Sequence, residues 1–562
     1  MTPEDFDAAP QPKGWSWRDR ARGSVVHATV LDPGTEPLDG IEAFQTAYVP
    51  DRLLVSDGGS AGLAERNLDL VREAAAVFGW GVVRERLDGS ELEDGERVEP
   101  RLPGAPAITR VRLTTPEKAD TASPALPDAW RVLQQVRRRI LAESGLLERR
   151  GGPRRIGRDV RADASRALRA AGVDRIGLDH ILTVDPIGVN PYTKTNPYTK
   201  TNPFATANPY TKTNPYTKTN PVGEYADCGS GGRQPVAWVG PAPRTSEVED
   251  AHRRAVIAVL DTGIGAHDWL PDELVDRDVR LDGHPVGLDD DANPEIYPDL
   301  YGPLDGELDP VAGHGTFIAG IVRQIAPDAA LLGIRVADAL GVVEESNLLR
   351  VIEDLGILVQ RHVDGGSGGR PIDVLNMSLG YYHETPADGL YSRDLFDLLA
   401  ILRGLGTTVV VSAGNDATDR PTFPASLWAW PGADNGIVAD GAAEHISVGA
   451  LNPDRTTTAL FSNVGPWVRT YAVGAAVLST LPDFTGGLQA SARDDRYARR
   501  RLTIGPEDYR GGFAVWSGTS FAAPLVAGLL AAELGFPPAE EAAPDAISAA
   551  QAAAEGALKI LG

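Results

Sequence analysis

Asn-Pro recurs every six residues, at Asn190, Asn196, Asn202, Asn208, Asn214 and Asn220, and four of the units read NPYTKT. Proline fixes φ and has no backbone N–H, so this density of prolines forbids a helix and prevents continuous strand pairing. The chain must therefore build its cores on either side of the repeat. Two readings of the repeat itself stand: an extended, solvated spacer, or a basic docking strip carried by Lys194, Lys200, Lys212 and Lys218. The resulting division is a loose arm over 1–45, a folded unit over 46–189, a linker over 190–235 and a larger unit over 236–562.

Charge separates the halves. Residues 236–562 hold 22 Lys and Arg against 46 Asp and Glu, so the whole net charge of −24 lies there and residues 1–235 balance. That acidity argues against a nucleic-acid partner and favours a neutral or basic one. One cysteine, Cys228, rules out a disulfide framework. No apolar run is long enough to cross a membrane, and the N-terminus has no apolar signal core. The expected location is a reducing cytoplasm, with non-classical export left open.

In the first half, Ala47–Val55, Gly81–Leu87, Ile108–Leu113 and Ile176–Val184 read as strands. Gly62–Phe78 carries helical spacing, and Asp128–Leu147 does so behind an Asp cap. The order β-α-β-β-α-β is that of a ferredoxin-like α+β domain, with an Arg-rich insertion over 148–172. In the second half the texture changes to apolar runs, AVIAVL, ALLGIRV, IDVLNMS, TVVVSAG and HISVGA, with amphipathic stretches between them. Such alternation predicts an α/β domain, a parallel sheet with helices on both faces.

Four short segments carry chemistry. Asp261 ends the strand AVIAVL, where open parallel sheets place their sites. His314 lies between two glycines ahead of an apolar helix. Asn415 follows the strand TVVVSAG. Ser520, in Gly518-Thr519-Ser520, opens the helix FAAPLVAGLLAAEL, where it reads as an N-cap. Taken singly, each has a plain structural explanation as a cap, a packed histidine or a turn. Together, Asp then His then Ser in chain order, set in AVLDTGIG, GHGTFIAGIV, SAGND and SGTSFAAPLVAG, resemble the subtilisin-like serine proteases over residues 236–545.

That resemblance implies roles. Ser520 would be the nucleophile, His314 the general base and then acid, and Asp261 the group that orients the imidazole. Asn415 would donate to the oxyanion. Ser378, Leu379 and Gly380 would pair with an extended substrate, and Ala413 and Gly414 would wall the main specificity pocket. The function implied is peptide-bond hydrolysis through an acyl-enzyme by a serine endopeptidase, regulated or processing in role, with no cofactor required. The other class is a catalytically silent scaffold or adaptor on the same fold. The family also implies that the N-terminal unit acts as a pro-domain, an intramolecular inhibitor of the cleft.

Two insertions depart from the plainest family pattern. Asp268–Asp309 holds fourteen Asp and Glu and two Arg. It reads as a solvated loop, as an acidic rim selecting basic peptides, or as a calcium site through Asp289, Asp291, Asn293 and Glu295, whose oxygens alternate as ligands do. The second, between Thr480 and Gly518, clusters Arg493, Arg496, Arg499, Arg500 and Arg501. It reads as a disordered loop, a lid or a self-cleavage site.

Overall fold

The computed structural model describes residues 10–115, 125–147, 158–184, 225, 231–302, 307–386, 390–433, 435–484, 493–505, 507–540 and 542–562. The Asn-Pro repeat and Cys228 lie outside them, as does the reading of the repeat as a docking strip. Among the described residues no helix is long and apolar enough to cross a membrane.

Seven parallel strands form the larger unit, in the order Thr470–Val473, His445–Leu451, Thr408–Ser412, Val374–Met377, Val256–Asp261, Ala330–Arg335 and Val275–Asp276. The central strands are buried end to end, which is why they read as continuous apolar runs rather than alternating ones. One face of the sheet packs on the helices His314–Ile325 and Thr519–Leu534, the other on Glu345–Val363 and Arg393–Gly404.

The smaller unit runs Ala47–Ser56, helix Ala61–Val77, Gly81–Glu85, Ile108–Thr114, helix Ala129–Glu143, helix Arg158–Ala170 and Ile176–Val184. Its strands are antiparallel, ordered Ile176–Val184, Ala47–Ser56, Ile108–Thr114, Gly81–Glu85. Part of the expected Arg-rich insertion is thus a helix. Leu53 and Val55 face this unit's own helices, while Leu54 between them joins the core of the larger unit with Leu102, Ile108, Leu182 and Val184. Both faces of this sheet are covered, one by the larger unit.

Residues 10–45 correct the expectation of a loose arm. A short helix, Trp17–Gly23, lies against the acidic insertion. Arg20 pairs with Asp299 and donates to the carbonyls of Asp299 and Gly302, and Trp15 Nε1 donates to Leu300 O. The second insertion is likewise no disordered loop where described: Arg493–Arg496 pairs with Arg499–Leu502 as a hairpin whose turn residues, Tyr497 and Ala498, both have φ of 55°.

Candidate active site

Asp261 is the last residue of a central strand and has no solvent exposure. His314 is the first residue of the helix His314–Ile325 and is equally buried. The helix starts there because Gly313 takes the left-handed φ of 78°, and a side chain at that position would run into Leu481. His314 Nδ1 donates to Asp261 Oδ1 at 2.7 Å. The same carboxylate oxygen accepts from Thr262 N at 2.8 Å, so Asp261 is held against rotation. With Nδ1 committed, Nε2 is the nitrogen left to act as a base. The imidazole is walled by Phe521 and Trp516, at ring separations of 5.1 and 5.6 Å.

Ser520 is the second residue of the helix Thr519–Leu534, behind Gly518 as cap. The expected N-cap role is therefore corrected: the cap position belongs to Gly518. The Ser520 carbonyl has an unusual partner. Residue 524, four positions on, is proline and has no N–H to offer, and Ser378 Oγ donates to Ser520 O instead, at 3.0 Å. Ser378, expected to present backbone to a substrate, is fully buried and anchors the serine's turn. Asn415 Oδ1 accepts from Thr519 N and Thr519 Oγ1, at 2.8 and 2.9 Å. The amide thus turns its oxygen to the helix start, fixing which end carries the donors. Gly414 has a φ of 98°, and a Cβ there would strike Asn463 Nδ2. The Ala413 carbonyl accepts from Asn463 Nδ2 and Thr422 Oγ1.

Leu379 and Gly380 are paired with the chain itself. Gly380 faces Thr183 and Leu379 faces Val184 in an antiparallel ladder. On the other side, Val342, Val343 and Glu344 pair with Thr183, Leu182 and Ile181. The end of the smaller unit's last strand therefore lies between two strands of the larger one.

The four residues offered as calcium ligands are not gathered together. Asp289 and Asp291 are exposed, Asn293 Oδ1 accepts from Glu295 N in a local turn, and Glu295 is buried elsewhere. Part of the insertion's acidity is paired. Asp272, Asp276, Asp278, Asp282, Asp290 and Asp299 pair with Arg277, Arg370, Arg280, Arg361, Arg335 and Arg20. Among the described residues, His180, His383 and Glu384 are the group whose donor atoms lie close enough for a metal. These donors are already engaged: His180 bonds Glu345 at 2.5 Å and Glu384 at 2.8 Å, and His383 Nδ1 accepts from Thr385 N. Sequence reasoning missed this cluster because its members meet only when the two units dock.

The model described as Peptidase_S8, the Subtilase family, matches residues 252–550, more than half of the chain. The chain belongs to the subtilase family. Its subtilase domain is 29% identical over 289 residues to the serine protease AprX of Bacillus subtilis strain 168, covering 49% of this chain and 55% of AprX. It is 28% identical over 293 residues to an intracellular serine protease of Paenibacillus polymyxa, covering 50% of this chain and 66% of that protein. The chain thus spans between about half and two thirds of the length of these relatives. Among solved structures, a cold adapted subtilisin-like serine proteinase aligns at 21% identity and a TM-score of 0.31, over 55% of this chain and 86% of that one.

Proposed function

We propose that this subtilase is a serine endopeptidase whose own N-terminal unit blocks its cleft. The observation that carries the first part is the buried bond between His314 Nδ1 and Asp261 Oδ1, beside a helix start bearing Ser520. Ser520 attacks the scissile carbonyl, His314 takes its proton and returns it to the leaving amine, and Asp261 stabilises the imidazolium. Asn415 and the Ser520 backbone N–H receive the oxyanion. Ser520→Ala and His314→Ala are expected to abolish cleavage of peptides that the parent cuts, with unchanged folding by circular dichroism. Cleavage by S520A at the parent's rate would overturn the assignment.

The ladder on both sides of residues 181–184 supports the second part. Main-chain pairing of this kind is how an extended peptide adds to a sheet edge, with affinity from the backbone and little demand on sequence. Leu379 and Gly380 bind substrate backbone in this reading, and Ala413 and Gly414 border its pocket. A regulated role follows, since the cleft opens only when the N-terminal unit leaves. Action inside the cell is supported by the cysteine-poor composition and by a relative named as intracellular. Cell fractionation with activity assays would decide it: activity confined to the medium would contradict it.

A further inference from the structure

One carboxylate of the acidic insertion is not at the surface. Glu295 is 3% exposed and lies beside the Asp261–His314 pair. Its Oε1 accepts from Thr262 Oγ1 at 2.5 Å and from Gly315 N at 3.1 Å, and its Oε2 accepts from Thr316 Oγ1. Thr262 follows Asp261, while Gly315 and Thr316 follow His314. The Thr262 hydroxyl also stands 3.1 Å from Asp261 Oδ1 and accepts from Gly315 N at 2.9 Å. One side chain thus joins the strand end that carries the aspartate to the helix start that carries the histidine.

The insertion is shaped to deliver it. Arg335 gathers the carbonyls of Leu288, Asp290 and Ala292 and the side chain of Asp290. Asn293 then turns the chain, accepting from Glu295 N at 2.9 Å on its side chain and from Ile296 and Tyr297 on its carbonyl. The backbone fit is close: a Cβ on Gly265 would come within 3.0 Å of Glu295 O. The arrangement is costly. Burial pushes the Glu295 carboxyl up to about 7, against the hydrogen bonds from Thr262 and Thr316, and the charge of Asp261 adds to the rise. A brace for the loop alone needs no buried charge, which an uncharged side chain of the same shape avoids.

We propose that Glu295 is a positioning residue: through Thr262, Gly315 and Thr316 it fixes the orientation of the Asp261–His314 pair. The proposal rests on the peptidase reading above. The charged group that acts on Glu295 is Asp261 from the strand, while Arg335 turns to Asp290 and the loop carbonyls.

The test uses the full chain and compares Glu295→Gln, of equal size, with Thr316→Val, which keeps the charge and removes one bond. For E295Q, kcat is expected to fall on the order of 10- to 10²-fold with KM little changed. Labelling of Ser520 by a fluorophosphonate should slow along with kcat. For T316V, kcat should also fall with KM little changed. Should E295Q not fold, an unchanged kcat in T316V would by itself overturn the positioning role. Parental kcat in a folded E295Q would overturn this proposal and leave the peptidase reading intact. A parent chain that cuts no peptide and takes no label on Ser520 would overturn both.

Discussion

At the scale of single residues, the site depends on backbone groups that a helix would ordinarily satisfy. Pro524 withholds the N–H due to the Ser520 carbonyl, and Ser378 supplies a hydroxyl instead. Ser378→Ala should therefore strand a buried carbonyl, costing about 1–3 kcal/mol in denaturant melts. Pro524→Ala returns an N–H at the same place, so the double variant should regain most of the loss. Additive losses in that cycle would show the two residues to be independent. The placement of Asp261, His314, Asn415 and Ser520 is legible in the sequence because each sits in a short motif fixed by local geometry, at or just after a strand end or at a helix start. Ser378 was readable as a motif but not in its buried role, since the proline that creates its task is remote in the chain. Glu295 was read as a calcium ligand because acidic alternation looks the same whether the oxygens face water or fold inward. What decides between these is Arg335, which bends the loop, and no local pattern links it to residue 295.

At the scale of elements, the last strand of the smaller unit is the joint of the molecule. Asp179 caps the helix Glu345–Val363, accepting from Ser346 N and Oγ at 2.9 Å each. The next residue, His180, bridges Glu345 and Glu384, and Arg175, four residues before Asp179, holds Asp394 and Asp397 at 2.9 and 2.6 Å. Burial alone would lower the proton affinity of His180, but the two glutamates overcome this and raise its pKa to about 10. A histidine whose pKa is raised on folding gives stability that is whole below its free value near 6.5 and is lost as pH rises towards 10. The full S520A chain, which cannot cut itself, should therefore melt at progressively lower temperature from pH 7 to 10. His180→Asn should melt lower at pH 7 and respond less to alkali. Equal slopes for the two would show that the histidine does not carry charge at this joint. The main strands and helices of each unit are legible in the sequence from periodicity and turn residues, while their order within each sheet is not. The joint was not, although Leu53, Leu54 and Val55 in succession gave a hint: a run with no polar alternation needs cover on both faces, and the smaller unit's helices supply one.

At the scale of the whole molecule, charge and connectivity describe one device. The smaller unit balances its own charge yet turns Arg52, Arg101, Arg137, Arg175 and His180 towards Glu344, Glu353, Glu384, Asp394 and Glu345 of a domain carrying net −24. Under the proposed release of that unit, a basic peptide substrate would meet the same field. Peptides with Lys or Arg beside the cut should be cleaved faster than acidic isomers at low salt, and the difference should shrink at physiological ionic strength, where the Debye length is about 8 Å. Equal rates at low salt would remove charge as a source of selectivity without touching the catalytic residues. Those residues are tested most directly by mapping a fluorophosphonate adduct by mass spectrometry, on the intact chain and after limited proteolysis has displaced the N-terminal unit, with His314→Ala alongside. The account predicts a single adduct on Ser520, forming faster after displacement and slowed by several orders of magnitude in H314A. An adduct elsewhere, or labelling of Ser520 at equal rates in parent and H314A, would contradict it.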